Sequence, residues 1–226
     1  MTDRSVLVTG GSGGLGRAVV DAFRADGWRV VAPIRGTASV DGAETVPGVD
    51  AADPAGVAKA VTIAAGEPGA PLRALVNTIG GYAGGARVHE LPVSDFEAQL
   101  AINLRPTYLM TQAALPHLVA AGGGAVVCVS SRAAVAPFAG ASGYVTAKAA
   151  VLAFAQAVAV EYKADGVRCN TVLPSVIDTP ANRAAQPGAD HSRWVPPAEI
   201  ARVILFLAGP GSAPTSGAAI PVYGRA

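Results

Sequence analysis

Short apolar segments alternate with helix-like segments along the whole of this 226-residue chain. Strands that are apolar throughout are buried on both faces, which is typical of a parallel sheet with helices on both sides. The predicted strands cover residues 5–9, 29–33, 44–49, 74–77, 125–130, 167–173 and 220–223. The predicted helices cover residues 15–25, 54–65, 94 to about 121, 143–164 and about 197–208. The pattern predicts one α/β domain over residues 1–226, without repeats or a linker.

Capping residues and prolines locate several helix ends. Asp53, directly before a proline, is a typical N-cap residue. Ser94 followed by Glu97 has the spacing of a capping box and predicts a helix start there. We expect Pro106 and Pro116 to kink or divide the helix that follows, because proline cannot donate the backbone hydrogen bond of a helix interior.

Composition and charge exclude several classes of protein. The chain is 51% hydrophobic and 15% charged, which excludes a disordered chain. A net charge of +1 without a long basic run makes nucleic acid an unexpected partner. Cys128 and Cys169 lie in apolar strand-like segments and are predicted to be buried free thiols of a reducing compartment. The chain start does not resemble a signal peptide, and charged and polar residues interrupt the richest apolar run, so we expect a cytoplasmic protein without a membrane partner.

A glycine-rich turn lies between the first predicted strand and the first predicted helix. It reads Thr9-Gly10-Gly11-Ser12-Gly13-Gly14-Leu15-Gly16. In such a turn, backbone N–H groups and a helix N-terminus face a pyrophosphate, and glycines allow its close approach. The glycines at 11, 13 and 16 match G-x-G-x-x-G, while residues 9, 10, 14 and 16 match T-G-x-x-x-G-x-G. Both spacings predict dinucleotide binding.

Two residues bear on the nucleotide that this turn would hold. An NAD-preferring site needs a carboxylate at the end of the second strand for the ribose 2′-OH, and residues 33–36 contain none. Arg35 stands there and can pair with a 2′-phosphate, so NADP(H) is favoured; the alternative is an ordinary solvated arginine. Asp50, after the third strand, is either an acceptor for the adenine amino group or a turn residue.

Tyr144 and Lys148 are the pair with the clearest chemical meaning. Residues four apart on a helix lie on one face, one turn apart. A free tyrosine has a pKa of about 10, and a neighbouring ammonium is expected to lower it. Ser131, 13 residues before Tyr144, can hold a substrate oxygen at the same point. The arrangement suits proton transfer to a carbonyl or from an alcohol.

Together the turn and this trio strongly resemble the short-chain dehydrogenase/reductase family over the whole chain. The turn matches the family's cofactor turn, and Asn77-Thr78-Ile79-Gly80 partly matches its Asn-Asn-Ala-Gly segment. Asn103 falls on the helix that carries the family's asparagine, and Leu173 to Thr179 resembles the segment that closes on the nicotinamide. The resemblance implies a single-domain Rossmann fold, a doubly wound seven-stranded parallel sheet with helices on both faces, and a homodimer or homotetramer.

Residue roles follow from the same resemblance. Tyr144 would be the general acid in reduction and the base in oxidation, and Lys148 would hold the nicotinamide ribose and lower the tyrosine pKa. Ser131 would bind the substrate oxygen, and Asn103 would support a water that relays protons to Lys148. The expected cofactor contacts are Thr9, Gly10, Ser12, Gly14, Leu15, Gly16, Arg35, Asp50, Asn77, Gly80, Tyr144, Lys148, Pro174, Ile177 and Thr179.

Several features also resemble dihydropteridine reductases, which retain the Tyr–Lys pair. They are residues 80–85, residues 173–174 with 178–183, and Trp194; Tyr82 and Trp194 either present flat surfaces to a ring substrate or pack loops. Ser131 and Arg35 depart from typical animal members of that group. We therefore expect an NADPH-dependent carbonyl reductase or alcohol dehydrogenase first, pterin reduction second, and a non-catalytic NADP(H) sensor third. The substrate loops are predicted at about 81–92 and 178–198, and the scattered histidines predict no metal site.

Overall fold

The strands of the chain form one sheet in which all neighbouring pairs are parallel. The structure is a computed structural model, and it describes residues 3–225. Its strands are β1 (Ser5–Thr9), β2 (Arg29–Pro33), β3 (Glu44–Val46), β4 (Leu72–Asn77), β5 (Gly124–Val129), β6 (Val167–Pro174) and β7 (Ala219–Val222). Across residues 3–225 they lie in the order β3-β2-β1-β4-β5-β6-β7. The seven-stranded parallel sheet expected from the sequence is confirmed.

The strand order reverses direction between β1 and β4. From β1 the chain builds outward through β2 to β3, and it then returns to place β4 on the other side of β1. In sheets of this kind, ligands bind in the crevice that opens at the carboxyl ends of the strands where the order reverses. The glycine-rich turn directly follows β1 and therefore lies at this crevice.

Helices cover both faces of the sheet. They are α1 (Gly14–Ala25), α2 (Pro54–Ala65), α3 (Val93–Asn103), α4 (Arg105–Ala120), α5 (Ser142–Glu161), α6 (Pro180–Ala185) and α7 (Pro197–Ala208). On one face, α1 and α7 pack on Val6 and Val8 of β1. On the other, α2, α4 and α5 pack around Leu7 of the same strand. Successive strand residues thus enter opposite layers of the core, which explains why the strands are apolar throughout.

Some helix ends agree with the capping analysis, and one does not. Asp53 caps α2, and its Oδ2 accepts a hydrogen bond from the Gly56 N–H at 3.0 Å. Leu104 separates α3 from α4 before Pro106, whereas Pro116 remains inside α4. The capping box at Ser94 is wrong: α3 begins at Val93 after Pro92, whose carbonyl accepts hydrogen bonds from the N–H groups of residues 95 and 96. Ser94 is therefore already inside the first turn.

The segment from 178 to 197 contains structure that the sequence analysis did not predict. Helix α6 begins there, and the Thr179 Oγ1 accepts a hydrogen bond from the Asn182 N–H at 3.2 Å. A threonine N-cap followed by Pro180 at the first helical position is the signal that identifies this short helix. At the other edge of the sheet, β3 ends at Val46 instead of residue 49.

Helix α5 is long and apolar enough, by length and composition, to cross a membrane. The expectation that its charged and polar residues keep the apolar run below membrane-spanning length is therefore wrong. In the structure the helix belongs to the core, with Ala147, Val151 and Ala155 buried against the sheet. The two cysteines are free thiols buried in the same layer, as predicted.

Candidate active site

The glycine turn after β1 is closed to side chains at three positions. Gly10 has φ +70°, and a Cβ there would lie 2.7 Å from the Thr78 Oγ1. A Cβ on Gly14 would lie 2.6 Å from the Thr179 Cγ2, and one on Gly16 would lie 2.0 Å from the Gly10 carbonyl oxygen. A Cβ on Gly13 would meet its nearest neighbour only at 3.3 Å. The geometry therefore favours the T-G-x-x-x-G-x-G spacing over G-x-G-x-x-G.

The turn exposes its backbone at the N-terminus of α1. Leu15 points into the core, while Ser12 and Gly14 are exposed. The Ser12 carbonyl accepts a hydrogen bond from the Arg17 Nε at 3.2 Å, which places a cation beside the turn. These residues fit a dinucleotide, because glycines without side chains and the helix N-terminus present backbone N–H groups to an anion.

Two threonines join the carboxyl ends of β1 and β4. The Thr9 Oγ1 accepts a hydrogen bond from the Thr78 N–H at 3.1 Å, and the Thr78 Oγ1 donates to the Thr9 carbonyl at 2.5 Å. Thr78 was absent from the predicted site residues. Thr78 is the second residue of the Asn77-Thr78-Ile79-Gly80 segment, and its place in that motif is the sequence signal that could have identified it as a site residue.

The residues expected at the adenosine end are exposed. Arg35 follows β2 at the carboxyl edge of the sheet, and no ion pair involves it within residues 3–225. Asp50 is exposed as well, and its Oδ1 accepts a hydrogen bond from the Ala52 N–H at 2.9 Å. This hydrogen bond is the one expected if Asp50 is a turn residue. It occupies one carboxylate oxygen and leaves the other for another donor.

Gly80 separates two of the expected catalytic side chains by a narrow gap. A Cβ at this position would lie 2.7 Å from the Asn103 Oδ1 and 2.8 Å from the Lys148 Nζ. The asparagine and lysine side chains therefore occupy the space that a side chain at residue 80 would need. Asn77, at the end of β4, is buried; its Nδ2 donates to the Thr111 Oγ1 at 3.0 Å, and its Oδ1 has no partner among the described residues.

Asn103 lies at the end of α3 and is fully buried. Its Nδ2 donates to the carbonyls of Gly81 at 3.0 Å and Gln99 at 2.9 Å, and its Oδ1 accepts from the Gly81 N–H at 3.1 Å. The amide thus holds the loop after β4 by both of its polar atoms. This loop is where the first substrate segment begins.

Lys148 is buried beside the end of β5. Its Nζ donates a hydrogen bond to the Val129 carbonyl at 3.1 Å. Burial disfavours the charged form, so the pKa of Lys148 is lowered to about 8, with the nearby Cys128 opposing the shift. The environment therefore brings the ammonium close to losing its proton in the neutral to mildly alkaline range.

Tyr144 differs from the sequence expectation in its pKa. Burial raises the pKa of the phenol, the Ser131 hydroxyl partly offsets the rise, and Tyr82 adds to it. The predicted lowering by Lys148 is wrong for this structure. The Lys148 Nζ lies 5.9 Å from the centre of the Tyr144 ring and donates to the Val129 carbonyl instead.

Ser131 and Ser130 have different surroundings. Ser131 is half-buried, close enough to Tyr144 to affect its pKa, and its Oγ accepts a hydrogen bond from the Ala133 N–H at 3.1 Å. The Ser130 Oγ is buried and donates to the Lys148 carbonyl at 2.7 Å. The choice of Ser131 as the serine that faces the tyrosine agrees with this geometry.

The two aromatic residues considered for a ring substrate are placed differently. Tyr82 is 57% exposed, and its ring is nearly perpendicular to that of Tyr144, with centroids 5.2 Å apart. Phe138, which was not predicted, lies 6.0 Å from Tyr82 on the other side. Trp194 is buried and packs against His191 at 4.3 Å. It therefore packs a loop and is not an open surface for a ring.

Of these aromatic residues, Phe138 lines a cavity of about 360 Å³. Residues 86–88 and 137–146 contribute its walls, and every lining side chain is uncharged: Ala86, Val88, Pro137, Phe138, Ala139, Gly140, Ser142, Val145 and Thr146. The Gly85 N–H donates to the Gly140 carbonyl at 2.7 Å and joins the two segments. The predicted loop at 81–92 therefore meets the segment that leads to Tyr144.

The segment after β6 closes over the glycine turn. Pro174 is the last residue of β6, and the Ile177 carbonyl accepts a hydrogen bond from the Asn182 Nδ2 at 2.8 Å. Thr179 is buried against Gly14. The structure therefore brings Pro174, Ile177 and Thr179 to the same end of the sheet as the turn.

Metal ligands are not assembled in the part of the chain that the structure describes. Residues 3–225 contain no group of three His, Cys, Asp or Glu side chains that could hold an ion. His89 lies beside Glu90 on the surface, and a ring nitrogen of His191 is 2.9 Å from the Gln186 carbonyl oxygen. Neither histidine contacts Ser131 in a hydrolase arrangement.

Comparison with known proteins identifies the class of protein to which the chain is similar. Residues 4–190 match the family model described as short chain dehydrogenase. The chain is 34% identical to 2-(R)-hydroxypropyl-CoM dehydrogenase of Xanthobacter autotrophicus, over 98% of this chain and 97% of the relative. It is 32% identical to D-threitol dehydrogenase of Mycolicibacterium smegmatis, over 96% and 90%. A short-chain type dehydrogenase/reductase from Mycobacterium ulcerans superimposes with a TM-score of 0.91 at 25% identity, over 100% of this chain and 90% of that one.

The chain therefore belongs to the short-chain dehydrogenase/reductase family, as its motifs predicted. It is an NAD(P)-dependent oxidoreductase with a Rossmann-like sheet. The nicotinamide cofactor supplies or accepts a hydride in this family's chemistry.

The buried lysine predicts a pH dependence of stability. Between the pKa of about 8 in the folded chain and the ordinary value of 10.5, the unfolded chain binds a proton that the folded chain has lost. The free energy of unfolding should therefore rise with pH across this interval, by up to about 1.4 kcal/mol per pH unit. Urea unfolding of the wild type and Lys148→Met between pH 7.5 and 10 measures the difference, in which other titrating groups largely cancel. Equal slopes for the two proteins would contradict the burial of an ionisable lysine.

Proposed function

We propose that the protein is an NADPH-dependent carbonyl reductase, or an alcohol dehydrogenase in the reverse direction. The observation that carries the proposal is the convergence of Ser131, Tyr144, Lys148 and Asn103 beside the glycine turn at the carboxyl ends of β1, β4 and β5. A carbonyl oxygen that receives a hydride at its carbon needs a proton and a hydrogen-bond donor. Tyr144 and Ser131 supply these two groups at one point.

The protonation state of Tyr144 favours a role as general acid. Burial raises the pKa of its phenol, so Tyr144 is protonated at neutral pH and is ready to donate a proton to the substrate oxygen. Ser131 holds that oxygen and stabilises the charge that develops on it. In oxidation the same tyrosine accepts the proton of the alcohol, which requires its pKa to be lowered first. Lys148, whose Nζ donates to the Val129 carbonyl, does not lower this pKa in the structure, so the geometry supports reduction as the proposed direction.

The preference for NADP(H) rests on the end of β2. Residues 33–36 offer no carboxylate to a ribose 2′-OH, and the exposed Arg35 follows the strand at the edge where the adenosine half of a dinucleotide would lie. An arginine pairs with a phosphate through two parallel hydrogen bonds. The 2′-phosphate of NADP(H) gives Arg35 this partner.

The substrate is proposed to be a carbonyl or alcohol with an uncharged substituent. The cavity that Phe138 lines, on the segment leading to Tyr144, has no charged side chain in its lining. Two relatives, 2-(R)-hydroxypropyl-CoM dehydrogenase and D-threitol dehydrogenase, are named for alcohols, which supports the reaction class. Reduction of a pterin is the second candidate, and the exposed ring of Tyr82 next to Tyr144 favours it. The burial of Trp194 removes its other aromatic surface.

Oxidation of NADPH in the presence of a panel of ketones and aldehydes tests the proposed reaction. We expect turnover with at least one of them, and a loss of about 10²- to 10⁴-fold in kcat for Tyr144→Phe, because the general acid is removed. Ser131→Ala should lose about 10²-fold or more with the same substrate. The Kd for NADPH, measured by fluorescence, should remain unchanged in the serine variant.

The same assay separates the alternatives. Turnover of quinonoid dihydropterin that survives Ser131→Ala, without turnover of carbonyls, would favour pterin reduction. Tight binding of NADPH without oxidation on any substrate would favour an NADP(H) sensor.

Cofactor selection is tested at Arg35. We expect Arg35→Ala to raise the KM for NADPH by about 10-fold or more, since a hydrogen bond to a charged group contributes about 1.5–3 kcal/mol, and to leave the KM for NADH nearly unchanged. Arg202→Ala removes an exposed arginine from α7 and is the matched control. A wild-type preference for NADH would show that Arg35 does not select the cofactor.

A homodimer or homotetramer is the proposed assembly. Tyr108 of α4 and Phe154 of α5 form an aromatic pair with centroids 5.6 Å apart, and Tyr108 and Val160 are 45% and 77% exposed. Apolar side chains of this size gain from burial against a second copy. Sedimentation equilibrium should therefore give a mass of two or four chains, and a monomer at micromolar concentration would contradict the proposal. Cytoplasmic location remains a prediction from the sequence.

A further inference from the structure

Three successive residues at the end of β5 contact the catalytic residues of α5. The Val129 carbonyl accepts the hydrogen bond of the Lys148 Nζ, the Ser130 hydroxyl donates to the Lys148 carbonyl, and Ser131 faces Tyr144. We infer that Ser130 is a positioning residue, whose hydroxyl holds the turn of α5 that carries Lys148 in register with Ser131.

Strand geometry explains why Ser130 points toward α5. Side chains of successive strand residues face opposite sides of a sheet. Val127 and Val129 enter the layer of α1 and α7, and Cys128 enters the layer of α5. Ser130 follows in the alternation and faces α5, while its own N–H remains bonded to the Val172 carbonyl at 2.9 Å. Its backbone is therefore held by β6 while its side chain reaches the helix.

The two side-chain hydrogen bonds run in opposite directions between the same two segments. One goes from Ser130 to the main chain of Lys148 at 2.7 Å, and the other from the side chain of Lys148 to Val129 at 3.1 Å. Both side chains are buried, with exposed fractions of 3% and 5%. Water therefore does not compete for either bond, and together they set both the height and the rotation of this helical turn.

The hydroxyl of Ser130 is not needed to satisfy the Lys148 carbonyl. Lys148 lies inside α5, where each carbonyl already accepts the N–H of the fourth residue onward. Removing the hydroxyl consequently leaves no buried carbonyl without a partner, and the cost in stability should be only that of one ordinary hydrogen bond, about 1 kcal/mol. What is lost is the defined distance between Ser131 and the Tyr144–Lys148 face of the helix.

This inference rests on the proposed carbonyl reaction, because it concerns how the proposed catalytic groups are held. A displacement of about 1 Å between reacting groups can cost about 10²-fold in rate. Ser130 lies away from the glycine turn, but Lys148 is also an expected contact of the nicotinamide ribose, so the loss of Ser130 should lower kcat by a larger factor than it raises the KM for NADPH.

The matched control is Ser5. Its hydroxyl is also buried and also donates to a backbone carbonyl, that of Ala70, at 2.6 Å, but it lies at the amino end of β1. It also accepts a hydrogen bond from the Arg29 Nη1 at 3.1 Å. Ser5→Ala thus removes a buried hydroxyl-to-carbonyl hydrogen bond at the opposite end of the sheet, together with the bond from Arg29. Ser130→Thr retains the hydroxyl donor and serves as the conservative variant.

Kinetics and a titration provide two separate measurements. We expect Ser130→Ala to lose about 10-fold in kcat with a smaller rise in the KM for NADPH, and Ser5→Ala and Ser130→Thr to stay close to the wild type. The titration uses ¹³C NMR of lysine side chains labelled at Cε. The chain has three lysines, Lys59, Lys148 and Lys163, and the signal lost in Lys148→Met assigns the buried one.

The titration reports on Lys148 without any turnover. Ser130→Ala should move the Lys148 midpoint by about half a pH unit or more, because the buried ammonium group no longer keeps its place, while Ser5→Ala should leave it in place. If the wild type reduces no substrate, the proposed function fails and the Lys148 midpoint alone decides the role of Ser130. A Ser130→Ala protein whose midpoint matches that of Ser5→Ala would overturn the inference, as would a Ser130→Thr protein as impaired as Ser130→Ala.

Discussion

The parallel pairing of β1 with β4 is the constraint on which the rest of the structure depends. Strands β2 and β3 lie on one side of β1, and β4 lies on the other. The connections that leave β1 and β4 therefore diverge, and a crevice opens between them at the carboxyl ends of the strands. The glycine turn and the segment after Asn77 are the two walls of that crevice. The hydrogen bonds between Thr9 and Thr78 hold these walls together beyond the end of the ladder.

Burial, more than the pairing of charges, sets the proton chemistry of the site. Lys148 lies in the core side of α5 and donates to the end of β5, and its pKa falls because its charged form is poorly solvated. The same exclusion of water raises the pKa of Tyr144. The Lys148 Nζ lies 5.9 Å from the centre of the Tyr144 ring and donates its hydrogen bond to the Val129 carbonyl. A phenol with a raised pKa fits the proposed role of Tyr144 as a proton donor.

Most of the fold and much of the site could be predicted from local patterns. The continuous apolar strands, the cap at Asp53 and the helix break near Pro106 depend on neighbouring residues only, and the sequence predicts them to within a few residues. The capping box at Ser94 was wrong because Pro92 offers a competing start two residues earlier, and spacing alone does not rank the two. Helix α6 was missed although Thr179 and Pro180 carry its signal, since six residues are too few to show a helical period.

The sequence by itself determined the order of the elements, the glycine turn and the spacing of Ser131, Tyr144 and Lys148, because each of these depends on residues close together in the chain. Tertiary structure decided what those residues experience. It buried Trp194 against His191, left Tyr82 exposed beside Tyr144, and turned Lys148 toward Val129. These outcomes depend on how segments far apart in the chain exclude water from one another. The spacing of residues along the chain does not show which of them lose contact with water. The direction of the Tyr144 pKa shift therefore depends on the folded structure.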